Sequence, residues 1–142
     1  MTREPRVVAF CCNWCSYAGA DLAGVSRFQY PANIRIIRLM CTGRLEPIFV
    51  LRAFEWGADG VMVLGCHPGD CHYVSGNEKA EKQVEKTQRL LEMLGLDPAR
   101  LRLQWVSASE GQRFADTVRV FVEQLQGMET TPFQYAPLKE AA

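Results

Sequence analysis

The chain has 142 residues, of which 48% are hydrophobic and 23% are charged, a balance typical of a globular protein of one domain. Its 16 Lys and Arg offset 16 Asp and Glu, so net charge gives no support for nucleic-acid binding. No apolar run approaches the roughly 18 residues of a membrane span, and the run from Val7 to Cys12 is too short for a signal peptide. These features predict a cytoplasmic protein, in which structural disulfides are rare.

The apolar pattern predicts four strands, each followed by a helix. The predicted strands are short aliphatic runs: residues 6–10, 34–40, 60–64 and 101–106. The predicted helices cover residues 17–25, 47–56 and 77–94, and a last one has Phe114, Val118, Phe121, Val122 and Leu125 on one face. Asn77 is expected to cap the third helix, and Gly57 and Gly95 to end the second and the third.

Alternating strands and helices, joined by right-handed crossovers, predict an α/β fold. We expect a flavodoxin-like parallel four-stranded sheet of order 2-1-3-4 with helices on both faces. Residues 1–126 form this predicted α/β domain, and residues 127–142 form an irregular C-terminal tail without periodicity. The tail is interpreted as a partner-binding arm because Phe133 and Tyr135 would otherwise lie in water; a frayed terminus is the alternative.

Six cysteines lie at the ends of the first three predicted strands. Cys11, Cys12 and Cys15 follow the first, Cys41 the second, and Cys66 and Cys71 the third. Because the carboxyl ends of parallel strands meet at one edge of a sheet, we expect these thiols to lie close together. Thiols gathered in this way in a cytoplasmic protein favour a metal site, and four thiolates suit an iron–sulfur cluster.

Two spacings favour paired ligation. Cys12 and Cys15, and Cys66 and Cys71, are separated by short turns that bring two sulfurs to one metal, while Cys41 comes from a third loop. Four thiolates also suit a structural zinc ion. In that interpretation the chain is an assembly subunit whose fold is held by zinc and which carries no electrons. A thioredoxin-type dithiol is a third interpretation, but it leaves three of these cysteines without a role.

The residues around the thiols are given structural roles. Cys11 is interpreted as a small packing residue at the strand end. His67 and His72 flank the last cysteine pair, and hydrogen bonding is favoured for them over ligation. The chain has no glycine-rich phosphate loop and no nucleophile–histidine–carboxylate set, which argues against an enzyme with its own substrate pocket. The predicted helix at residues 48–56 is apolar nearly all round, so it is hidden either in a larger assembly or within this domain.

Six blocks of the sequence resemble, in order, those of the delta subunit family of methyl-viologen-reducing hydrogenase. The blocks are CNWCSYAGAD at 12–21, MCTGR at 40–44, GADGV at 57–61, GCHPGDCHY at 65–73, SGN with KAEK at 75–82, and SASEG at 107–111. The resemblance covers residues 7–125, and the block at 65–73 is highly specific.

The resemblance implies a small, non-catalytic electron-transfer subunit that carries a 2Fe-2S cluster in an oxidoreductase complex. Its implied partners, in a cytoplasmic electron-bifurcating hetero-oligomer, are the flavin-containing subunit of heterodisulfide reductase and an electron-input enzyme. That enzyme is commonly a hydrogenase, otherwise formate dehydrogenase or another redox enzyme. The family's motif cysteines correspond to Cys12, Cys15, Cys41, Cys66 and Cys71, of which four would hold the cluster.

Overall fold

The computed structural model describes residues 5–13, 16–25, 34–67, 76–129 and 131. The strands are β1 (Val7–Cys12), β2 (Ile34–Leu39), β3 (Gly60–Gly65) and β4 (Leu101–Trp105). The helices are α1 (Ser16–Val25), α2 (Pro47–Glu55), α3 (Gly76–Met93) and α4 (Gly111–Gln126). Short 3-10 turns lie at Thr42–Arg44 and Pro98–Arg100.

The sheet is parallel throughout and has the order β2-β1-β3-β4, which confirms the predicted topology. The third strand is buried along its whole length, as its continuous apolar run indicates. The edge strand β2 is only partly covered, which explains why its sequence combines isoleucine with Arg35 and Arg38. The register places Cys12 opposite Leu39 of β2, and Cys11 opposite Leu64 of β3.

Two hydrophobic clusters, one on each face of the sheet, hold the helices in place. On one face α1 and α4 pack against inward side chains of β1 and β3, with Phe114 and Phe121 fully buried. On the other face α2 and α3 supply Val50, Phe54 and Leu91. This arrangement confirms the prediction of helices on both faces.

Some predicted boundaries are wrong by one or two residues. β1 continues to Cys12 instead of stopping at Phe10, because the parallel ladder with β2 extends to the end of both strands. α3 begins at Gly76, so Asn77 is its second residue and not its cap. The predicted ends at Gly57 and Gly95 are confirmed, since both glycines have positive φ angles, 103° and 82°.

Two predictions about exposed parts of the chain have different outcomes. The second helix is not hidden within the described residues, because Ile48 is 50% exposed and Trp56, directly after α2, is 55% exposed. Residues 130 and 132–142 lie outside the described residues, so the partner-binding arm and the domain boundary at 126 stay predictions. None of the helices within the described ranges combines the length and hydropathy that a membrane crossing needs.

Candidate metal centre

Cys12 and Cys66 meet at the carboxyl edge of the sheet. Cys12 ends β1 and Cys66 directly follows β3, the adjacent parallel strand, and both residues are only 1% exposed. Their sulfur atoms are 3.6 Å apart, far beyond the roughly 2.05 Å of a disulfide bond. Two thiolates bound tetrahedrally to one metal at about 2.3 Å lie about 3.8 Å from each other. The pair therefore has the separation expected of two ligands of one metal ion.

Ser16 fixes the position of this pair. Its side chain is fully buried at the start of α1, and its hydroxyl oxygen accepts a hydrogen bond of 2.8 Å from the backbone N–H of Cys12. The same hydroxyl donates to the backbone carbonyl of Leu64, two residues before Cys66. One side chain thus joins the ends of the two strands that carry the sulfurs.

Cys41 lies in the loop that follows β2, beside the same edge. Its sulfur accepts a hydrogen bond from the backbone N–H of Gly43 at 3.4 Å and caps the turn Thr42–Arg44. The carbonyl of Met40 is 4.0 Å from the sulfur of Cys12. A backbone N–H directed at sulfur favours the thiolate form, so this loop is suited to hold a metal ligand.

Glycines let the Cys41 loop approach its neighbours closely. A Cβ on Gly65, the residue before Cys66, would lie 3.2 Å from the hydroxyl of Thr42 and 2.9 Å from the ring of Trp105. A Cβ on Gly43 would lie 2.9 Å from the Cα of Gly76, the first residue of α3. The Cys41 loop is therefore packed against both ends of the chain segment that connects β3 to α3.

Cys11 lies on the opposite face of β1 from Cys12, since side chains alternate along a strand. It is fully buried in the cluster formed with α1 and α4. Burial raises the pKa of its thiol to about 12, although the hydroxyl of Ser16 acts in the opposite direction. A thiol held in its neutral form among apolar side chains has the packing role predicted for Cys11.

His67, the residue after Cys66, contacts the carboxylate of Glu110 through Nε2 and Oε1. The same carboxylate oxygen accepts a hydrogen bond of 2.9 Å from the backbone N–H of Ser107. The Ser107 amide, and after it His67, lowers the pKa of Glu110 to about 2. The structure thus gives His67 the hydrogen-bonding role and ties the segment after Cys66 to the N-terminal end of α4.

The described residues supply part of the predicted ligand set. They bring Cys12 and Cys66 together with Cys41 in the neighbouring loop, whereas Cys15, Cys71 and His72 lie outside them. Within the described ranges no three His, Cys, Asp or Glu side chains lie close enough to hold one metal ion. Two cysteine thiolates are soft ligands, the kind that iron–sulfur clusters and zinc both prefer.

Two residues of this site have roles that the sequence did not reveal. Ser16 and Glu110 fall within the motif blocks, but nothing in the blocks assigns them contacts. Their contacts reach across the sequence, from Ser16 to Leu64 and from Glu110 to His67. The spacing from Ser107 to Glu110 is the one local signal, because Ser-x-x-Glu is typical of a helix start at which the Glu side chain bonds the Ser amide.

Residues 7–129 match the family described as methyl-viologen-reducing hydrogenase, delta subunit. The chain is 52% identical over 125 residues to the vhc iron-sulfur subunit of the F420-non-reducing hydrogenase of Methanococcus voltae, covering 88% of this chain and 87% of that protein. It is 48% identical over 118 residues to the iron-sulfur subunit of the F420-non-reducing hydrogenase of Archaeoglobus profundus, covering 83% of this chain and 86% of that protein.

A second kind of relative is much longer than this chain. A subunit of the ferredoxin:CoB-CoM heterodisulfide reductase of Methanosarcina mazei is 54% identical over 122 residues, which are 86% of this chain but only 15% of that protein. The same fold unit therefore occurs both as a small, separate polypeptide of a hydrogenase and as a stretch of a larger polypeptide.

Proposed function

The chain belongs to the delta subunit family of methyl-viologen-reducing hydrogenase, and from this premise we propose that it is an electron-transfer subunit carrying a 2Fe-2S cluster. Four of the five cysteines Cys12, Cys15, Cys41, Cys66 and Cys71 hold the cluster in this proposal. Relatives named as iron-sulfur subunits of hydrogenases support the cofactor class.

The observation that carries the proposal is the sulfur pair of Cys12 and Cys66, 3.6 Å apart at the ends of two adjacent strands. When bound, the cluster supplies a centre that gains and loses one electron at a time. The protein holds the thiolates on a rigid sheet, buries two of them, and directs the N–H of Gly43 at the sulfur of Cys41. Burial and hydrogen bonds to sulfur are the features by which a protein sets a cluster's reduction potential.

The relatives also support the choice of partners. Their names place this fold unit in F420-non-reducing hydrogenases and in CoB-CoM heterodisulfide reductases. In our proposal the protein relays electrons from a hydrogenase, or from formate dehydrogenase or another redox enzyme, to the flavin-containing subunit of a heterodisulfide reductase. The complex is a cytoplasmic, electron-bifurcating hetero-oligomer.

Anaerobic purification followed by metal, sulfide and spectroscopic analysis tests the cofactor. We expect about two irons and two acid-labile sulfides per chain, with a visible band that bleaches on reduction and an EPR signal of the reduced form. One zinc per chain without colour would instead support a zinc-stapled assembly protein. A metal-free chain with a titratable disulfide would support a dithiol oxidoreductase.

Single substitutions test the ligand set. We expect Cys12→Ser or Cys66→Ser to lose the visible band and most of the bound iron, because each removes one sulfur of the close pair. Cys11→Ala is the matched control, since the Cys11 side chain lies in the core on the opposite face of β1 from Cys12. Loss of the cluster in the control, with retention in both ligand variants, would contradict the assignment.

A further inference from the structure

A groove of about 1080 Å³ lies on the α2 side of the sheet, between α2 and the edge strand β2. Its apolar lining comes from β1, β2, α2 and the residue after α2: Val8, Phe10, Ile37, Leu39, Phe49 and Trp56. The helix α2 packs against β3 and α3, and within the described ranges β2 is only partly covered.

Exposed apolar side chains are concentrated on the elements that form the groove. Seven large apolar side chains are exposed within the described ranges, and four of them belong to β2, α2 or the residue that follows each. These are Ile37, Met40, Ile48 and Trp56, with exposures of 44%, 56%, 50% and 55%. Two of the four, Ile37 and Trp56, line the groove itself, and exposed apolar side chains that cluster in this way mark an interaction site.

Three arginines, Arg6, Arg35 and Arg52, line the groove, and no acidic residue of the described ranges does. Arg52 forms an ion pair with Glu55 at 3.7 Å, but both side chains are more than 60% exposed, so the pair is weak. Within the described part of the chain, the side chains of Arg6 and Arg35 form no ion pair. The groove therefore complements an apolar surface that carries carboxylates.

The end of the groove at the carboxyl ends of β1 and β2 lies beside Cys12. Leu39 lines the groove and is the register partner of Cys12 on the adjacent strand. Phe10 also lines it and lies two residues before Cys12 on the same face of β1. With about 4.8 Å between strands and about 3.3 Å per residue, an occupant of the groove comes within about 10 Å of Cys12.

We propose that the groove binds a helix of the electron-accepting partner, with apolar side chains flanked by carboxylates. This inference rests on the proposed function and adds the docking surface to it. On this face α2 and α3 cover the rest of the sheet, so one more helix beside α2 completes the layer over β2. In the relatives named as heterodisulfide reductases, the matching stretch is part of a longer polypeptide and is therefore joined permanently to the rest of it. Permanent protein interfaces are more apolar than transient ones, which agrees with the apolar lining of the groove.

The arginines argue against a second copy of this chain in the groove. A symmetric dimer brings the same patch of both copies together, so Arg6, Arg35 and Arg52 would face the same three residues of the other copy. Like charges placed in this way oppose association. An acidic partner helix meets the same arginines with favourable charge.

Site-specific photo-crosslinking in the purified complex tests the occupant. A benzoylphenylalanine replaces Trp56 in the groove or, as the control, Val120, which is 50% exposed on α4 at the other face of the sheet. We expect the probe at position 56, and not the one at 120, to attach to an Asp- or Glu-flanked helix of the electron-accepting partner. Attachment to a second copy, to residues 132–142 of the same chain, or to the electron-input enzyme would overturn the proposal.

Charge reversal gives an independent test. We expect the double variant Arg35→Glu, Arg52→Glu to bind the electron-accepting partner about tenfold more weakly or worse, with iron and sulfide content unchanged. Arg119→Glu on α4 is the control and should bind as the wild type does. If the double variant and Arg119→Glu bound the electron-accepting partner with equal affinity, the proposed docking surface would be wrong. A chain that binds through the groove but holds no iron would instead refute the proposed function alone.

Discussion

Ser16 acts at the scale of a single side chain, because its hydroxyl joins the end of β1 to the end of β3. Cys12 ends one of these strands and Cys66 directly follows the other, so the hydroxyl helps to hold the two sulfurs at a separation that suits two ligands of one metal ion. This contact joins segments that are distant in sequence, since Ser16 and Leu64 are 48 positions apart.

We expect Ser16→Ala to destabilise the fold by about 1–3 kcal/mol, because it leaves a buried N–H and a buried carbonyl without their partner. Urea unfolding measures the loss, and iron per chain is expected to fall with it. Ser109→Ala is the control, since Ser109 is exposed and bonds only the hydroxyl of Ser107 among the described contacts. Equal stability and equal iron content in the two variants would contradict the role of Ser16.

Glu110 makes stability depend on pH, because its pKa in the folded chain is about 2 against an ordinary value of 4.5. A carboxyl group with a lowered pKa adds stability that is fully present above its unfolded pKa. That contribution is lost as the pH falls from about 4.5 towards 2.

We therefore expect the melting temperature of the wild type to fall more steeply than that of Glu110→Gln between pH 4.5 and 2. At pH 7 the variant is expected to be the less stable of the two, since it weakens the contacts with His67 and the Ser107 amide. Glu123→Gln, an exposed change on the same helix, serves as the control. Parallel pH profiles for all three proteins would contradict this role.

At the scale of elements, the contact between Gly43 and Gly76 sets how the Cys41 turn meets α3. A Cβ at position 43 would lie 2.9 Å from the backbone of Gly76, which cannot move aside as a side chain can. The contact therefore fixes the turn that presents Cys41 against the start of the helix that follows the Cys66 segment.

We expect Gly43→Ala to destabilise the fold by about 1–3 kcal/mol through the backbone shift that it forces, and to lower the iron content. Gly24→Ala is the control, because no atom of the described residues lies within 4 Å of a Cβ at this exposed position in α1. The control should gain about 0.4–1 kcal/mol from the smaller entropy of its unfolded chain. Thermal unfolding measures the stability of both variants. A gain in stability in both would contradict the tight contact between Gly43 and Gly76.

The order of these elements could be predicted from the sequence because periodicity and turn residues act locally. The continuous run of β3 predicted a strand buried on both faces, and the arginines of β2 predicted a less covered position. The end of β1 could not be predicted in the same way. Whether Cys11 and Cys12 continue the strand depends on pairing with β2, which begins only at Ile34.

At the scale of the whole molecule, the sequence predicted that Cys12, Cys41 and Cys66 approach the carboxyl edge, but not how they are held there. Cysteine positions at strand ends, together with the topology, are sufficient to bring Cys12 close to Cys66. The bonds from Ser16 to Leu64 and from Glu110 to His67 join distant segments, and no local pattern encodes them. The groove arises from the position of α2 over the sheet. The apolar composition of that helix was compatible both with burial in a larger assembly and with burial within this domain, so it did not predict the groove.

The two hydrophobic clusters together span the sheet without involving the close sulfur pair. Neither Cys12 nor Cys66 belongs to either cluster, although both are as deeply buried as Phe54, at 1% exposure. A domain of this length buries enough apolar surface to fold without a metal staple. The proposed metal site is thus an addition at one edge of a core that is complete without it.

We therefore expect removal of the metal by anaerobic chelation to abolish the visible band and to leave the far-UV circular dichroism nearly unchanged. The melting temperature should fall, because the folded state loses a bound ligand. Hydrogen exchange should accelerate around Cys12 and Cys41, while the amides of Val61 and Val63 in β3 stay protected. A zinc ion bound at the same edge would be removed without any change in visible absorbance. Loss of the helical signal on chelation would contradict a core that is independent of the metal.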